Sequence, residues 1–281
     1  TQVPEIDGTT IINFVNRRYQ SLLRSRTWSF LKDRAVLTTV APYETGTVTV
    51  TNGSTAVTGD GTSWTSAMVG RQFRVASLGE FYEISAVGSA TSITLRYAYG
   101  GDSGSAQAYS IFQHIYSLTA TAKNIQSITY RFPLREATKA SLDRVDSERK
   151  STGTPQWFVY LGKDSSGYQQ IEIHPVPAAA YVIRYEFYKS VSDMSLPDDS
   201  PIIREDLIEA AALIDCYRYA ARNNRDYLPL LGDARMEFIA IKEEAIGEDI
   251  RVESQRNCVV DVYRSAEAVS SFWVDHDPGI L

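Results

Sequence analysis

Cysteine and histidine are both scarce in this chain of 281 residues, which has two cysteines and three histidines. Cys216 lies in a predicted helix and Cys258 near the C terminus, and two thiols do not make the disulfide framework of a small secreted domain. His114, His174 and His276 are far apart in the sequence and match no metal-ligand spacing. The composition therefore predicts no disulfide framework, no metal site and no cofactor.

The chain also lacks long apolar runs and the short motifs of common enzyme classes. No apolar run approaches the ~20 residues that a membrane span needs, and the N-terminal TQVPEIDG does not resemble a signal peptide. The glycine-rich loop at 100–105 is not followed by the Lys-Ser or Lys-Thr of a P-loop, and no GxSxG, HExxH or Cys-x-x-Cys motif occurs. We expect a protein that is made in a cytoplasm, does not bind membranes and is not an enzyme.

Acidic residues are in slight excess, and they are unevenly distributed. The sequence has 34 acidic and 28 basic residues, for a net charge of −6. Residues 204–281 include 16 of the acidic and 9 of the basic residues, so the acidity belongs to the C-terminal region. Apolar residues make up 43% of the chain, which is enough to form a buried core.

The most informative stretch runs from Gly46 to Arg74, GTVTVTNGSTAVTGDGTSWTSAMVGRQFR. Valine and threonine alternate at 47–51, which is typical of a half-buried strand. Asn52-Gly53 accepts the positive φ values of a tight hairpin turn, so 54–58 is interpreted as the returning strand. We expect Trp64 to close the end of a small β domain.

Helical periodicity occurs at both ends of the chain. Asp7 or Thr9 can cap an N-terminal helix in which apolar residues recur every three or four positions. A second helix follows Pro201, and a third runs from 229 to 247 after a short linker. The short linker predicts that the second and third helices are antiparallel neighbours.

Basic side chains surround the first helix and the segment that follows it. Such a cluster can indicate a nucleic-acid interface. A solvated or partner-facing surface is the more common meaning of basic residues spread around a helix, and we favour it. The residues are Arg17, Arg18, Arg24, Arg26, Lys32 and Arg34.

These patterns predict an α+β fold. Residues 1–42 and 201–247 are expected to pack as a helical bundle formed by the N- and C-terminal helices. Residues 43–113 are expected to form an inserted antiparallel β-sandwich or barrel module, and 114–200 a second, mainly β region. Residues 248–281 are predicted to form an extended C-terminal arm.

The stretch that begins at Gly46 also resembles a known family. The run GTVTVTNGSTAVTGDGTSW, together with FYEI at 81–84 and SITLRYAYGG at 92–101, is similar to a β module of tailed-bacteriophage structural proteins. Further along the chain come TGTP at 152–155, IEIHPVP at 171–177 and YVIRYEFY at 181–188. This order, with helices at both ends, resembles phage head-to-tail connectors, the adaptors that lie beneath the portal.

The resemblance implies a structural virion protein at the head-tail junction. Its partners would be the portal protein, the downstream nozzle, tube or fibre proteins of the tail, and itself, as a ring of about 12 copies. The ring would extend the DNA channel used in genome ejection. The acidic C-terminal region predicts that genomic DNA passes without specific binding, because rows of Lys and Arg would hold the phosphates.

Two other functions fit parts of the sequence. The first is a tail fibre or tailspike-associated protein that binds host glycans through the β module. Fibres are usually trimers, so symmetry would distinguish this alternative from an adaptor ring. The second is a glycan-cleaving virion enzyme, which would need two carboxylates facing each other across a groove.

The predicted arm carries apolar side chains without a periodic pattern. Aromatic residues on a flexible segment often order on binding, and tryptophan is enriched at binding hot spots. By resemblance to connectors, whose C-terminal arm reaches along the portal, we expect these side chains to dock on the portal or on a neighbouring subunit. The predicted docking residues are Val260, Val262, Tyr263, Phe272, Trp273 and Val274.

Overall fold

The computed structural model describes residues 7–75, 80–195, 199–222 and 224–272, and for 255–272 it describes only the backbone. The chain divides into two compact units. We call residues 1–32 together with 190–281 the terminal unit, and residues 33–189 the central unit.

Four α-helices occur in the described residues: α1 Gly8–Ser25, α2 Lys139–Asp146, α3 Glu205–Ala220 and α4 Leu228–Phe272. Short 3-10 helices cover Ser29–Leu31, Ser66–Met68 and Arg225–Tyr227. Asp7 caps α1, because its carboxylate accepts hydrogen bonds from the backbone N–H groups of Thr9 and Thr10 at 2.8 and 3.1 Å. The start that the sequence predicts for the first helix is therefore confirmed.

Seventeen strands occur in the described residues. The first eight are β1 Lys32–Thr38, β2 Thr47–Val50, β3 Ala56–Asp60, β4 Gln72–Val75, β5 Tyr82–Ser89, β6 Ser92–Leu95, β7 Gly104–Gln107 and β8 Tyr109–Phe112. The others are β9 Ile115–Ser117, β10 Ala122–Tyr130, β11 Phe132–Pro133, β12 Arg135–Glu136, β13 Thr152–Gly153, β14 Trp157–Lys163, β15 Gln169–His174, β16 Val176–Pro177 and β17 Val182–Lys189. The strands lie in the central unit, with β1 beginning one residue before it.

The largest sheet is a curled antiparallel half-barrel of seven strands in the order β7-β2-β3-β6-β5-β4-β8. The predicted hairpin is present as β2 and β3, in which Thr47 lies opposite Asp60. The returning strand begins and ends two residues later than 54–58, because Gly59 and Asp60 still pair with β2. One face of the sheet is buried in a core that includes Val48, Val57, Phe73, Ile84, Ile93 and Ile111.

Trp64 is buried in this core, as the sequence predicts. Its indole N–H donates a hydrogen bond of 3.0 Å to the hydroxyl of Tyr109, and the two rings meet edge to face. The Tyr109 hydroxyl in turn donates to the carbonyl of Thr45 at 2.6 Å. The buried polar ends of both aromatic side chains are therefore satisfied.

Two four-stranded sheets and one two-stranded sheet complete the central unit. Their orders are β1-β17-β10-β11, β12-β14-β15-β9 and β13-β16. The two larger sheets share a second core, whose buried members include Tyr116, Ile128, Phe158, Ile171, Ile183 and Phe187. The alternation that the sequence predicts for 181–188 is present, since Ile183, Tyr185 and Phe187 are buried on one face of β17.

In the terminal unit, α3 packs against both α1 and α4. Because it has neighbours on two sides, it buries residues around much of its circumference, including Leu207, Ala211 and Ile214. The contact with α4 is a small core of Ile214, Leu231 and Ala234, with Tyr217 and Phe238 packed against it.

The predicted fold class is wrong in its architecture. The chain is α+β but mostly β, and it is not a helical bundle with inserted β modules. The physical reason is the location of the apolar side chains: the sheets of residues 33–189 bury two cores of their own, whereas α1, α3 and α4 bury apolar side chains only within the terminal unit.

The predicted extended arm is also wrong, because α4 continues through Gly247 to Phe272. A single glycine costs a helix only about 1 kcal/mol relative to alanine. Tertiary contacts support the helix beyond Gly247, because Asp249 and Glu253 make ion pairs with Arg26 and Lys32. Within the described ranges, none of the helices combines the length and apolarity that a bilayer span requires.

Candidate functional site

The six predicted docking side chains lie outside the described residues. Val260, Val262, Tyr263 and Phe272 fall where only the helical backbone is described, and Trp273 and Val274 fall beyond it. Their role stays a prediction from the sequence.

The basic residues of α1 and its exit are mostly paired with carboxylates. Five of the six form ion pairs within their own unit, which uses much of the positive charge that suggested a nucleic-acid interface. The pairs are Arg17 and Arg18 with Asp215, Arg26 with Asp249, Lys32 with Glu253, and Arg34 with Glu186.

Asp215 on α3 lies at the centre of the largest of these clusters. Arg18 approaches it in a bidentate manner, with Nε 2.8 Å from Oδ2 and Nη2 2.6 Å from Oδ1. Arg17 Nη2 lies 2.5 Å from Oδ2, and Arg218 Nη1 lies 3.2 Å from Oδ1. The carboxylate is buried, so three arginines share one shielded negative charge.

The protonation of Asp215 follows from two opposing effects. Burial alone would raise the pKa of this carboxyl, but the hydrogen bonds and charges of Arg18 and Arg17 outweigh burial and hold the pKa below its ordinary value. The aspartate is therefore ionised at neutral pH, and the cluster keeps a surplus of positive charge.

A pocket opens beside this cluster between α1 and α3. It has a volume of about 260 Å³ and is lined by Thr10, Phe14, Arg17, Asp215, Arg218, Tyr219 and Arg222, and we call it the arginine pocket. Phe14 and Tyr219 form an aromatic wall with ring centroids 6.2 Å apart, and the Arg17 guanidinium carbon lies 5.4 Å from the centroid of Phe14. The pocket thus combines the guanidinium groups of arginines with aromatic surface.

The outer side of α4 has the opposite character. Asp233, Met236, Glu237 and Ala240 are exposed and recur at three- and four-residue spacing, and we call them the acidic patch. Met236 is 70% exposed, and Leu228, Leu230 and Ile239 are exposed nearby. Exposed apolar side chains grouped along one helix indicate an interaction surface.

The turn of α4 that contains Asp249 contacts the segment that follows α1. Asp249 is buried and accepts a hydrogen bond of 2.8 Å from the backbone N–H of Ser29. Its second oxygen lies 3.1 Å from Arg26 Nη2, as an ion pair without hydrogen-bond geometry. Arg204 adds ion pairs with Asp206 and Glu248 at 2.6 and 3.0 Å. These contacts fix α4 within the terminal unit.

A second charged cluster lies in the interior of the central unit. Glu172 on β15 is fully buried and forms an ion pair with Arg149, whose guanidinium also contacts Asp143 at 2.5 Å. His114 Nε2 lies 3.8 Å from Glu172 Oε1, and Lys139 Nζ lies 3.7 Å from Oε2. His114 and Glu172 are distant in the sequence, and the pairing of β15 with β9 brings them close together in the fold.

His114 is neutral in this environment. Burial lowers the pKa of His114 to about 4, although the charge of Glu172 acts in the opposite direction. Its ring lies 5.7 Å from the rings of Phe81 and Phe112. Because the carboxylate and the guanidinium are shielded from solvent, the cluster supports the packing of the central unit rather than chemistry on a substrate.

No group of histidine, cysteine, aspartate and glutamate suited to a metal ion occurs within the portion of the chain that the structure describes. His114 and His174 both lie near Glu172, but the charges around that carboxylate come from Arg149 and Lys139. A resident cation would be repelled by those two side chains.

Sequence reasoning missed both clusters, although each leaves a signal. Asp215 interrupts the apolar and alanine-rich run of α3, and Glu172 lies between Ile171 and Ile173 in a strand. A single charge inside an apolar run must find a buried partner or destabilise the fold. The identity of that partner depends on the tertiary structure.

No protein-family model and no curated protein matches this chain.

Proposed function

We propose that this chain is a structural protein of a tailed-bacteriophage virion, a ring-forming adaptor that joins the portal to the tail and extends the DNA channel. The observation that carries the proposal is the number of large apolar side chains that α4 leaves exposed, of which Leu228, Met236, Ile239 and Ile250 lie on one side of the helix. The full set is Leu228, Leu230, Met236, Ile239, Ile250 and Val252. Single exposed apolar residues are ordinary, but six along one helix favour a protein that works by assembly.

The charged clusters support a structural role over a catalytic one. Asp215 is engaged by arginines of its own unit, and Glu172 is engaged by Arg149, so neither carboxylate is available to a substrate. The pairing of Arg17, Arg18 and Arg26 with carboxylates also supports the passage of genomic DNA without specific binding, since paired arginines hold phosphates less well.

The resemblance of the 46–64 run to phage β modules supplies the partners in this proposal. The portal protein lies on one side of the ring and the tail proteins on the other, and about 12 copies form the ring. The place of action is the head-tail junction of the virion, and synthesis takes place in the cytoplasm of the bacterial host.

The proposal is tested by mixing the full chain with purified portal rings of the phage that encodes it. We expect co-sedimentation with the portal, and averaged electron images that show a ring coaxial with it. A chain that does not bind the portal, or that assembles as a trimer, would contradict the adaptor function, and a trimer would favour the fibre alternative.

A truncation tests the predicted docking residues. Ending the chain after Ser254 removes all six of them and keeps Asp249 and Glu253, which pair with Arg26 and Lys32. We expect an unchanged melting temperature and loss of portal binding. The full-length double substitution Phe272→Ala with Trp273→Ala is the matched variant that keeps the chain length. Portal binding by both variants would show that docking uses another surface.

A further inference from the structure

We propose that the arginine pocket binds the acidic patch on α4 of a second copy of this chain. The inference rests on the proposed function, because it names the two surfaces through which neighbouring subunits of the ring meet. Asp233 and Glu237 of one copy would supply carboxylates to Arg218 and Arg222 of the next.

The receptor side carries a surplus of positive charge that its own unit does not neutralise. Arg17, Arg18 and Arg218 share the single carboxylate of Asp215, and Arg222 makes no ion pair within the described residues. Asp7 is near the rim, but its oxygens already accept hydrogen bonds from Thr9 and Thr10 at the start of α1. The pocket therefore keeps capacity for at least one further anion.

The donor side carries carboxylates that its own unit does not use. Glu244 and Glu248 pair with Arg204, whereas Asp233 and Glu237 make no ion pair within the described ranges. Both project from the side of α4 away from Leu231 and Ala234, which face the helical core. A partner can therefore reach the patch without disturbing that core.

The two surfaces also match in their apolar parts. Met236 lies between the two carboxylates in sequence and is the most exposed apolar side chain of α4. A thioether packs favourably on aromatic rings, and Phe14 and Tyr219 provide such rings at the pocket wall. The patch therefore offers carboxylates for the arginines and a methionine for the aromatic wall.

The size of the pocket favours protein side chains as its occupant. Its volume of about 260 Å³ lies below the range of about 300–1,000 Å³ for typical small-molecule sites. Duplex DNA would present a row of phosphates and no apolar group for the aromatic wall. An acidic helix with a methionine between its carboxylates satisfies both parts of the pocket.

The geometry of this contact suits a ring. On α3, the residues of the pocket and the residues that contact α4 lie on different sides of the helix. The pocket and the patch are thus different surfaces of one chain, so the contact between copies is heterologous. Repeated heterologous contacts form a closed ring when the rotation closes.

Charge reversal tests the contact in sedimentation velocity experiments on the full chain over a range of protein and salt concentrations. We expect wild-type self-association that weakens with salt. Arg218→Glu with Arg222→Glu, and separately Asp233→Arg with Glu237→Arg, should each weaken it by roughly a hundredfold, because like charges then face each other. The chain that carries all four substitutions should regain association, because its reversed charges are again complementary.

Two controls separate this effect from loss of folding or from net charge. Arg222→Glu alone removes a side chain without an ion pair in the described residues, so its melting temperature should stay at the wild-type value while association weakens. Lys123→Glu with Lys163→Glu changes the net charge as much as the pocket variant does, at exposed positions of the central unit, and should associate normally.

Several outcomes would overturn the inference. They are a wild-type chain that stays monomeric at every concentration, reversal variants that associate like wild type, or a fourfold variant that does not regain association. Tight, salt-sensitive binding of a duplex DNA oligonucleotide that Arg222→Glu abolishes would instead assign the pocket to nucleic acid. Portal binding by the wild type together with normal assembly of the reversal variants would refute this contact and leave the adaptor function standing.

Discussion

Glu172 and Arg149 form an ion pair in the interior of the central unit, where the carboxylate has no exposed surface and the arginine is 2% exposed. Arg149 follows α2, and Glu172 lies in β15, so the pair links the helix to the sheet. Arg149 also has a positive φ of 50°, a backbone conformation that costs a residue other than glycine about 1–3 kcal/mol. The contacts of its guanidinium with Glu172 and Asp143 help to hold Arg149 in that conformation.

We expect Glu172→Gln to destabilise the protein by about 3 kcal/mol or more. The substitution leaves the guanidinium of Arg149 buried with only the carboxylate of Asp143 opposite it, and breaking a buried pair from one side leaves an uncompensated charge. The free energy of unfolding is measured by urea denaturation at neutral pH.

Glu83→Gln is the matched control for this prediction. Glu83 pairs with Arg96 at 3.0 Å, but both side chains are more than a third exposed. An exposed pair contributes at most about 1 kcal/mol, so this variant should unfold close to wild type. Equal losses in the free energy of unfolding of the two variants would show that burial does not determine how much the Glu172 pair contributes to stability.

Asp215→Asn should cost about 2 kcal/mol, and the cost should depend on pH. The amide cannot accept charge-assisted hydrogen bonds from Arg18 and Arg17 as the carboxylate does. Because the arginines hold the pKa of Asp215 below its ordinary value of 3.8, the stabilisation is complete above that value and is lost as the pH falls through the lower folded-state value.

The measurement is the urea midpoint of wild type and Asp215→Asn between neutral pH and acid. The difference between the two proteins should be constant at neutral pH and should shrink once the pH falls below the ordinary value. A difference that persists undiminished in acid would show that the effect comes from packing rather than from the ionised carboxylate.

Sequence patterns with a strong local cause predicted their elements well. The hairpin of β2 and β3 follows from valine–threonine alternation and from the Asn52-Gly53 turn, both of which act within a few residues. The burial of Trp64 and the cap of Asp7 follow in the same way. The pairing order of the seven-stranded sheet, in which β7 lies next to β2, has no local signal.

The wrong predictions share a physical origin. The sequence shows apolar stripes on the terminal helices, but it does not show that the strands of residues 33–189 bury two cores of their own rather than being inserted into a helical bundle. Gly247 predicts a helix end, yet Asp249 beyond it pairs with Arg26 and accepts a hydrogen bond from the backbone N–H of Ser29. Tertiary contacts of this kind override a single unfavourable helix residue.

Gly46→Ala should destabilise the seven-stranded sheet more than Gly53→Ala does. Both glycines have positive φ, 85° and 78°, so either alanine meets a backbone cost of about 1–2 kcal/mol. At Gly46 a Cβ atom would also lie 2.4 Å from the carbonyl oxygen of Asp60, whereas at Gly53 no atom lies within 4 Å. We expect at least about 2 kcal/mol between the variants by urea denaturation. Equal stabilities would show that β2 and β3 can move apart there.

The last prediction concerns His114, which should make the protein less stable in mild acid. Its pKa is about 4 in the folded protein because the ring is buried, and it returns to about 6.5 when the chain unfolds. Between these values the unfolded chain binds a proton that the folded chain does not, so stability is lost as the pH falls from 6.5 towards 4, by roughly 3 kcal/mol for this group.

Urea denaturation of wild type and His114→Gln at several pH values between 7 and 4 measures this contribution. The variant should have a shallower decline over that interval, and a residual slope should remain because burial also lowers the pKa of His174. His276→Gln, at a position outside the described residues, is the control. It also removes one imidazole from the protein but keeps the buried imidazole of His114. An NMR titration of the wild-type imidazole gives a direct check: a His114 ring that titrates near 6.5 in the folded protein would show that it is not shielded from solvent.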